Sequence, residues 1–501
     1  MSTSTDDAAQ TGDLERSLAR IGAALDRFLR FEHPDPLQSG AAWRERLQQP
    51  VPRTGVGLDQ VERELAETVI PNGSVIPKPG FTGFITTGGT TASTLASTAA
   101  SVASPQRYGL TAFNFLEELS LEWLAQMFGL DGFEGVYSSG GSTANLLALG
   151  AARQWAFERV GRDPGAEGVD RPAAIFATAE AHHTVQRAAG VLGLGRRAVR
   201  IVATDAAGRM DAQDLRRSLE AEVRAGVLPV AIVATAGTTN TGAIDPLGQV
   251  LDVARAHDVW LHVDGAYGLP GILDDRKAHL YEGHAAANSV IVDPHKWLGA
   301  AVGVAATFVK DRSLLERAFT QTPADYLEGN VEPGGEQTRI EHSMDDFGIP
   351  YYDYGVELSA PPRGVVVWAL VREIGVEGLR DRVRRHNDMA ARVADAAREH
   401  PNLELLVEPT LSICCFRYVA PGTLDLDELN RRLHRRLVRE NRNLPTTTRV
   451  NGKLALRPCF IGARTGLAEA DSLVDDVLRI GDRLVSESLA LAEPTTDRRH
   501  T

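Results

Sequence analysis

Asp264, in the run WLHVDGAYG, and Lys296, in VIVDPHKWLG, each stand where a short apolar run ends. A carboxylate closing one buried strand and an amine closing the next can address opposite ends of a flat heteroaromatic ring. The amine can form an imine with an aldehyde, and the carboxylate can keep a pyridine nitrogen protonated so that the ring accepts electrons. Pyridoxal phosphate (PLP) carries both groups, and the pair points to it. As structure alone, an ammonium directly after NSVIVDP is costly to bury unless it is paired or neutralised. A lysine that merely snorkels from a strand end is the plainer alternative.

Other segments carry compatible letters. In GVYSSGGSTANLLALGAAR an apolar run passes through Gly140 and Gly141 into a helical pattern. The glycines let the backbone approach a ligand closely, Ser142 is placed to cap the helix, and such a helix end binds phosphate. In ATAGTTNTGAIDP, Thr239 could hydrogen-bond a cofactor and Asp245 could orient its neighbours, although a capped turn accounts for the same residues. His182 and His183, in AEAHHTVQRAAG, fall between a strand and a helix, where one imidazole could lie flat over a ring. The run GLGRRA fits a loose dinucleotide fingerprint but follows a helical stretch rather than a strand, so it is not such a site.

The elements that must position these residues are legible as alternation. GVYSS, AAIFATA, AVRIVAT, PVAIVATA, VWLHVD, SVIVD and VGVAATFV are short apolar runs, with helical spacing between most of them, as at 211–225 and 247–257. Strands apolar on both faces and separated by helices describe a mostly parallel sheet covered on each side. The expected architecture is α/β and doubly wound, with a smaller α+β unit at the C-terminal end, where LELLVEPTLSICCFRY and KLALRPCF read as strands and 425–442 as a helix. Apolar spacing predicts helix over 14–37 and again over 60–69. The boundaries predicted are a helical N-terminal arm over 1–90, a large cofactor domain over 91–368, a small C-terminal domain over 369–490 and a tail over 491–501.

The 501 residues, 43% hydrophobic and 24% charged, allow a substantial core. A formal net charge of −13 argues against nucleic-acid binding. The basic stretch at 431–442 carries Leu433 and Leu437 at helical spacing after Leu429, and so reads as the solvated face of an amphipathic helix. Cys414, Cys415 and Cys459 lie in apolar runs, without a CxxC or HExxH pattern, so neither disulfides nor a metal site is expected. The polar, acidic start lacks the pattern of a secretory signal, and no apolar stretch is long enough to span a bilayer; a cytoplasmic location is expected.

With these motifs in place, the chain from about Pro79 to Thr465 resembles the group II PLP-dependent amino-acid decarboxylases, the family of aromatic-amino-acid, histidine and glutamate decarboxylases. The resemblance implies the aspartate-aminotransferase fold (PLP fold type I), a homodimer with active sites at its interface, and conversion of a small L-amino acid to an amine and carbon dioxide through an external aldimine and a quinonoid. It implies that Lys296 joins the cofactor, Asp264 pairs with the pyridine nitrogen, His182 stacks on the ring, Gly141 and Ser142 hold the phosphate with His295 nearby, and Thr239 and Ala266 flank the cofactor. Asp293 takes a place where many relatives have Asn. Tyr326, in the polar stretch TQTPADYLEGNVEPGG, matches the loop tyrosine that protonates the substrate carbon; phenylalanine there accompanies oxidative conversion to an aldehyde. Phe84, Ile85 and Thr87 fall where relatives shape the substrate pocket. A transaminase, with Arg457 as carboxylate clamp, and a catalytically silent PLP-binding protein are the rival readings.

Overall fold

The computed structural model describes residues 14–32, 36–107, 111–320, 349–423 and 425–492. The chain packs as two units, Met1–Phe81 and Thr82–Thr501. Helices Leu14–Phe28, Pro36–Leu47 and Leu58–Glu64, the last followed by a wider turn over Leu65–Val69, make up the first. The helix expected over 14–37 stops at Phe28, and Phe31 takes a φ of 57°. A positive φ at Phe31 takes the backbone out of the right-handed helical region, so the helix cannot run on through it.

In the second unit, β1 (Glu134–Ser138), β2 (Ala173–Thr178), β3 (Val199–Val202), β4 (Leu228–Thr235), β5 (Trp260–Asp264), β6 (Ser289–Val292) and β7 (Ala305–Val309) form a seven-stranded sheet in the order β1-β7-β6-β5-β4-β2-β3. All seven coincide with the apolar runs. β3-β2-β4-β5-β6 are parallel, each central strand buried on both faces, whereas β7 runs against both β1 and β6. The β6-to-β7 connection explains the reversal: it is the short turn bearing Lys296, with no crossover helix to bring the chain back in the same sense.

Helix Gly141–Glu158 lies against the sheet and is buried nearly all round, which its small residues Ala144, Ala148, Gly150, Ala151 and Ala152 permit. Helix Gly364–Glu399 bends at Gly375, whose φ of 67° suits a residue without Cβ. β8 (Leu403–Val407), β9 (Cys415–Tyr418), β10 (Leu444–Val450) and β11 (Lys453–Arg457) pair antiparallel in the order β10-β11-β9-β8. Helices Leu426–Glu440 and Leu467–Ala492 complete the C-terminal part. As expected, Leu429, Leu433 and Leu437 are buried and the three cysteines are free and buried. Among the described residues no helix is long and apolar enough to cross a membrane.

Candidate active site

The carboxyl ends of β4, β5 and β6 open into a cavity of about 470 Å³. Ligands settle at this edge of parallel sheets, since the strands end there and the following loops diverge. Asp264 is the last residue of β5, level with Thr235 of β4 and Ile291 of β6. It is 6% exposed; Oδ1 accepts from the Ala266 amide at 3.1 Å and Oδ2 from Asn145 Nδ2 at 3.1 Å. Lys296 lies in the turn Pro294–Leu298 that follows β6, and both side chains line the one cavity.

Lys296 Nζ sits 2.9 Å from Asp293 Oδ2, which also accepts from the Gly141 amide at 3.1 Å. The turn is fixed from behind. Trp297, fully buried, stacks on Tyr267 with centroids 5.3 Å apart and donates from Nε1 to His386 Nδ1 at 3.0 Å. Burial holds the His386 imidazole down at about 3, which leaves it neutral and able to accept there.

Of the other residues expected at the site, Gly141, Ser142, His182, Thr239, Ala266, His295, Phe84 and Ile85 all line the cavity. Ser142 does so without the capping role: Gly140 is the cap position, no side chain caps the helix, and Ser142 is already inside the first turn. The His182 Nδ1 accepts from the Thr184 amide at 3.4 Å and lies 2.8 Å from Thr184 Oγ1. Burial is the main cause that lowers its pKa. His183, 4.2 Å away ring to ring, is not on the wall. His295 is held by Val304, its Nδ1 2.6 Å from that carbonyl, and burial again lowers its pKa. Thr87 is buried beside Gly88 and off the wall, and Tyr326 lies outside the described residues.

Two further residues weighed in the sequence lie off the cavity wall. Asp245 is buried beneath the loop, accepting from the Met210 and Thr235 amides at 2.7 Å each, and burial raises its carboxyl to about 6; it pins backbone rather than facing the cavity. Arg457 is spent on carbonyls, donating to Asn240 at 3.1 Å, to Phe84 at 2.9 Å and to Thr239. It shapes the cavity mouth instead of offering a clamp. Conversely, Asp293 and Asn145 had not been singled out as site residues, yet they contact Lys296 and Asp264 directly. Asp293 was visible as a letter before PHK; Asn145, one polar residue in a helical apolar pattern, gave no such signal.

The residues present fit PLP. An acid and an amine face one cavity, an uncapped helix end with small residues lines it, and Asp293 Oδ1 is buried without a hydrogen-bond partner, as a side chain awaiting one would be. The fold and this cavity define a PLP enzyme of the aspartate-aminotransferase type. The pyridoxal-dependent decarboxylase conserved domain matches residues 43–419. An aromatic-L-amino-acid decarboxylase of Bacillus atrophaeus is 30% identical over 358 residues, covering 71% of this chain and 70% of that protein. The acidic amino acid decarboxylase of Mus musculus is 30% identical over 319 residues, 63% of this chain but only 55% of that protein's length. The crystal structure of Oryza sativa TDC with PLP and tryptamine superposes with a TM-score of 0.83 at 24% identity, over 97% of this chain and 99% of that one. The chain belongs to the pyridoxal-dependent decarboxylase family, and with it to the PLP-dependent amino-acid decarboxylases.

Proposed function

We propose that the protein removes the α-carboxyl group of an L-amino acid with an aromatic or other apolar side chain, releasing carbon dioxide and the amine. The observation that carries the chemistry is that Asp264 and Lys296, on neighbouring strand ends, face one cavity. Bound PLP supplies an aldehyde for the substrate nitrogen and a pyridinium ring that takes up the electron pair left when the carboxylate departs. Lys296 is the residue that holds the aldehyde end, and Asp293 holds its ammonium beforehand. Asp264 keeps the ring nitrogen protonated. Gly141, Ser142 and His295 bind the phosphate, Thr239 and Ala266 bound the ring edge, and His182 stacks on its face. Tyr326 returns a proton to the substrate carbon, directly or through water or His182.

Phe84 and Ile85 support an apolar substrate: they line the cavity mouth, and among the described lining residues Lys296 is the one Lys or Arg. An acidic side chain would find no fixed cation free for it there. The engagement of Arg457 with three carbonyls weighs against transamination, which needs a cation for the substrate carboxylate. The protein is further read as a homodimer with active sites at the interface, supported by the large apolar side chains Leu95, Val102 and Phe115, which stand 65%, 58% and 64% exposed.

The test is carbon dioxide and amine release from the common L-amino acids by the PLP-loaded enzyme. Aromatic and apolar substrates should turn over at least tenfold faster than aspartate or glutamate. Preference for the acidic ones would overturn the substrate reading, keto acid without carbon dioxide would point to a transaminase, and an aldehyde in place of the amine to oxidative decarboxylation. No turnover across the panel, with cofactor bound, would leave a silent PLP-binding protein.

A further inference from the structure

Behind Asp264 runs a buried chain of side chains that the decarboxylation chemistry does not itself require. Trp260 Nε1 donates to Ser289 Oγ at 2.8 Å. Ser289 Oγ lies 2.9 Å from His262 Nδ1, and His262 Nε2 lies 3.0 Å from Asn145 Oδ1. Asn145 Nδ2 reaches Asp264 Oδ2 at 3.1 Å and Thr184 Oγ1 at 3.2 Å, and Thr184 Oγ1 meets His182 Nδ1 at 2.8 Å. Trp260, Asn145, His262 and Ser289 are each 2% exposed or less, so water does not compete for these bonds.

The hydrogens of this chain are ordered from its Asp264 end: that carboxylate accepts on both oxygens, so Asn145 turns Nδ2 to it and Oδ1 to His262 Nε2. With Nε2 donating to Asn145, the neutral His262 ring accepts at Nδ1 from the Ser289 hydroxyl, whose oxygen in turn accepts from the indole N–H of Trp260. His262 then carries its hydrogen on Nε2 and donates to the Asn145 oxygen, which leaves both Asn145 amide hydrogens facing the cavity side. One meets the Asp264 carboxylate, and the other meets Thr184, whose hydroxyl hydrogen is directed to His182 Nδ1. The Thr184 amide donates to that same Nδ1, so it is an acceptor and His182 presents Nε2–H. Burial holds the His262 imidazole down at about 4, which agrees with a neutral ring that passes polarity on without exchanging protons with solvent.

We propose that Asn145 and His262 are positioning residues of the active site: the hydrogen-bond relay between Trp260 and Asp264 keeps the Asn145 amide donor on the Asp264 carboxylate and, by the branch through Thr184, fixes the tautomer of His182. This rests on the reading that Asp264 pairs with the cofactor's ring nitrogen. Reversing the Asn145 amide would set its oxygen against the carboxylate, and His262 is what prevents that reversal.

The experiment uses holoenzyme loaded with PLP labelled with ¹⁵N in the ring, and reads the protonation of that nitrogen by NMR across a pH series. Asn145→Leu and His262→Phe should each move the ring-nitrogen titration to lower pH by about 1 to 2 units, a 10- to 100-fold change in the protonation equilibrium, the scale of one hydrogen bond to a charged group. His262→Gln, which can still donate to Asn145 Oδ1, should restore most of the shift where a merely space-filling histidine would not. Asp264→Asn separates the two readings. If it leaves the ring nitrogen protonated, the pairing of Asp264 with the ring is wrong. If it strips the proton while Asn145→Leu and His262→Phe keep the wild-type titration, or if Gln behaves as Phe does, the relay alone is wrong.

Discussion

At the scale of single residues, the site is governed by close approach. Gly141 is required by space: a Cβ built there would lie 2.7 Å from Asp293 Oδ2, well inside contact distance, and Asp293 is fixed by Lys296 and by the Gly141 amide itself. Gly141→Ala should therefore push Asp293 away or tilt the helix end, and weaken PLP binding by about tenfold or more, an energy of about 1.4 kcal/mol. Equilibrium titration of the apoenzyme with PLP measures it, and an unchanged Kd would show that the helix end does not hold the phosphate. The residues that could be read from the sequence were those whose type is odd for their place, such as a lysine behind an apolar run or glycines before a helix. Asn145 and His262 could not be read so, because they stand 117 positions apart in the chain, one on a helix and one on β5, and only folding brings them together.

At the scale of elements, the strands were legible because burial on both faces makes them apolar without interruption. The elements that escaped are those whose stability comes from packing rather than pattern. Helix Thr91–Ala103, TASTLASTAASVA, is rich in hydroxyl residues of modest helix propensity and starts from a Thr90 cap. β10, LPTTTRV, has a proline near its start and three threonines where apolar residues would have marked it. The joint between helices Ala112–Met127 and Gly364–Glu399 carries a titrating group. Glu117 is fully buried and accepts from the Gly364 amide at the start of the second helix, and burial raises its carboxyl from an ordinary 4.5 to about 7. Its folded pKa lies above its unfolded one, so the native state binds the proton more tightly; that stabilisation is full below about 4.5 and is lost as pH rises through about 7. Glu117→Gln keeps an oxygen for Gly364 and removes the titration. Its Tm should exceed that of wild type by several degrees at mildly alkaline pH and converge on it in acid; parallel melting curves at all pH values would exclude this role for Glu117.

At the scale of the whole molecule, the parallel sheet places the ends of β4, β5 and β6 around one cavity, and the antiparallel return through β7 is what turns the Lys296 loop back over it. The family likeness extends over most of the chain, and of the motifs that carried it in the sequence those around Gly141, His182, Asp264 and Lys296 meet at this cavity. Substrate choice was less legible, because Phe84 and Ile85 line the cavity and the Phe84 carbonyl is held by Arg457, far away in the chain. The most direct measurement of the central claim is chemical. The PLP-loaded enzyme is reduced with borohydride, digested, and its peptides searched by mass spectrometry for the phosphopyridoxyl group. The group should be found on Lys296, in the peptide that holds the PHKWLG turn; a stoichiometric label on any other lysine, with Lys296 unmodified, would contradict the account.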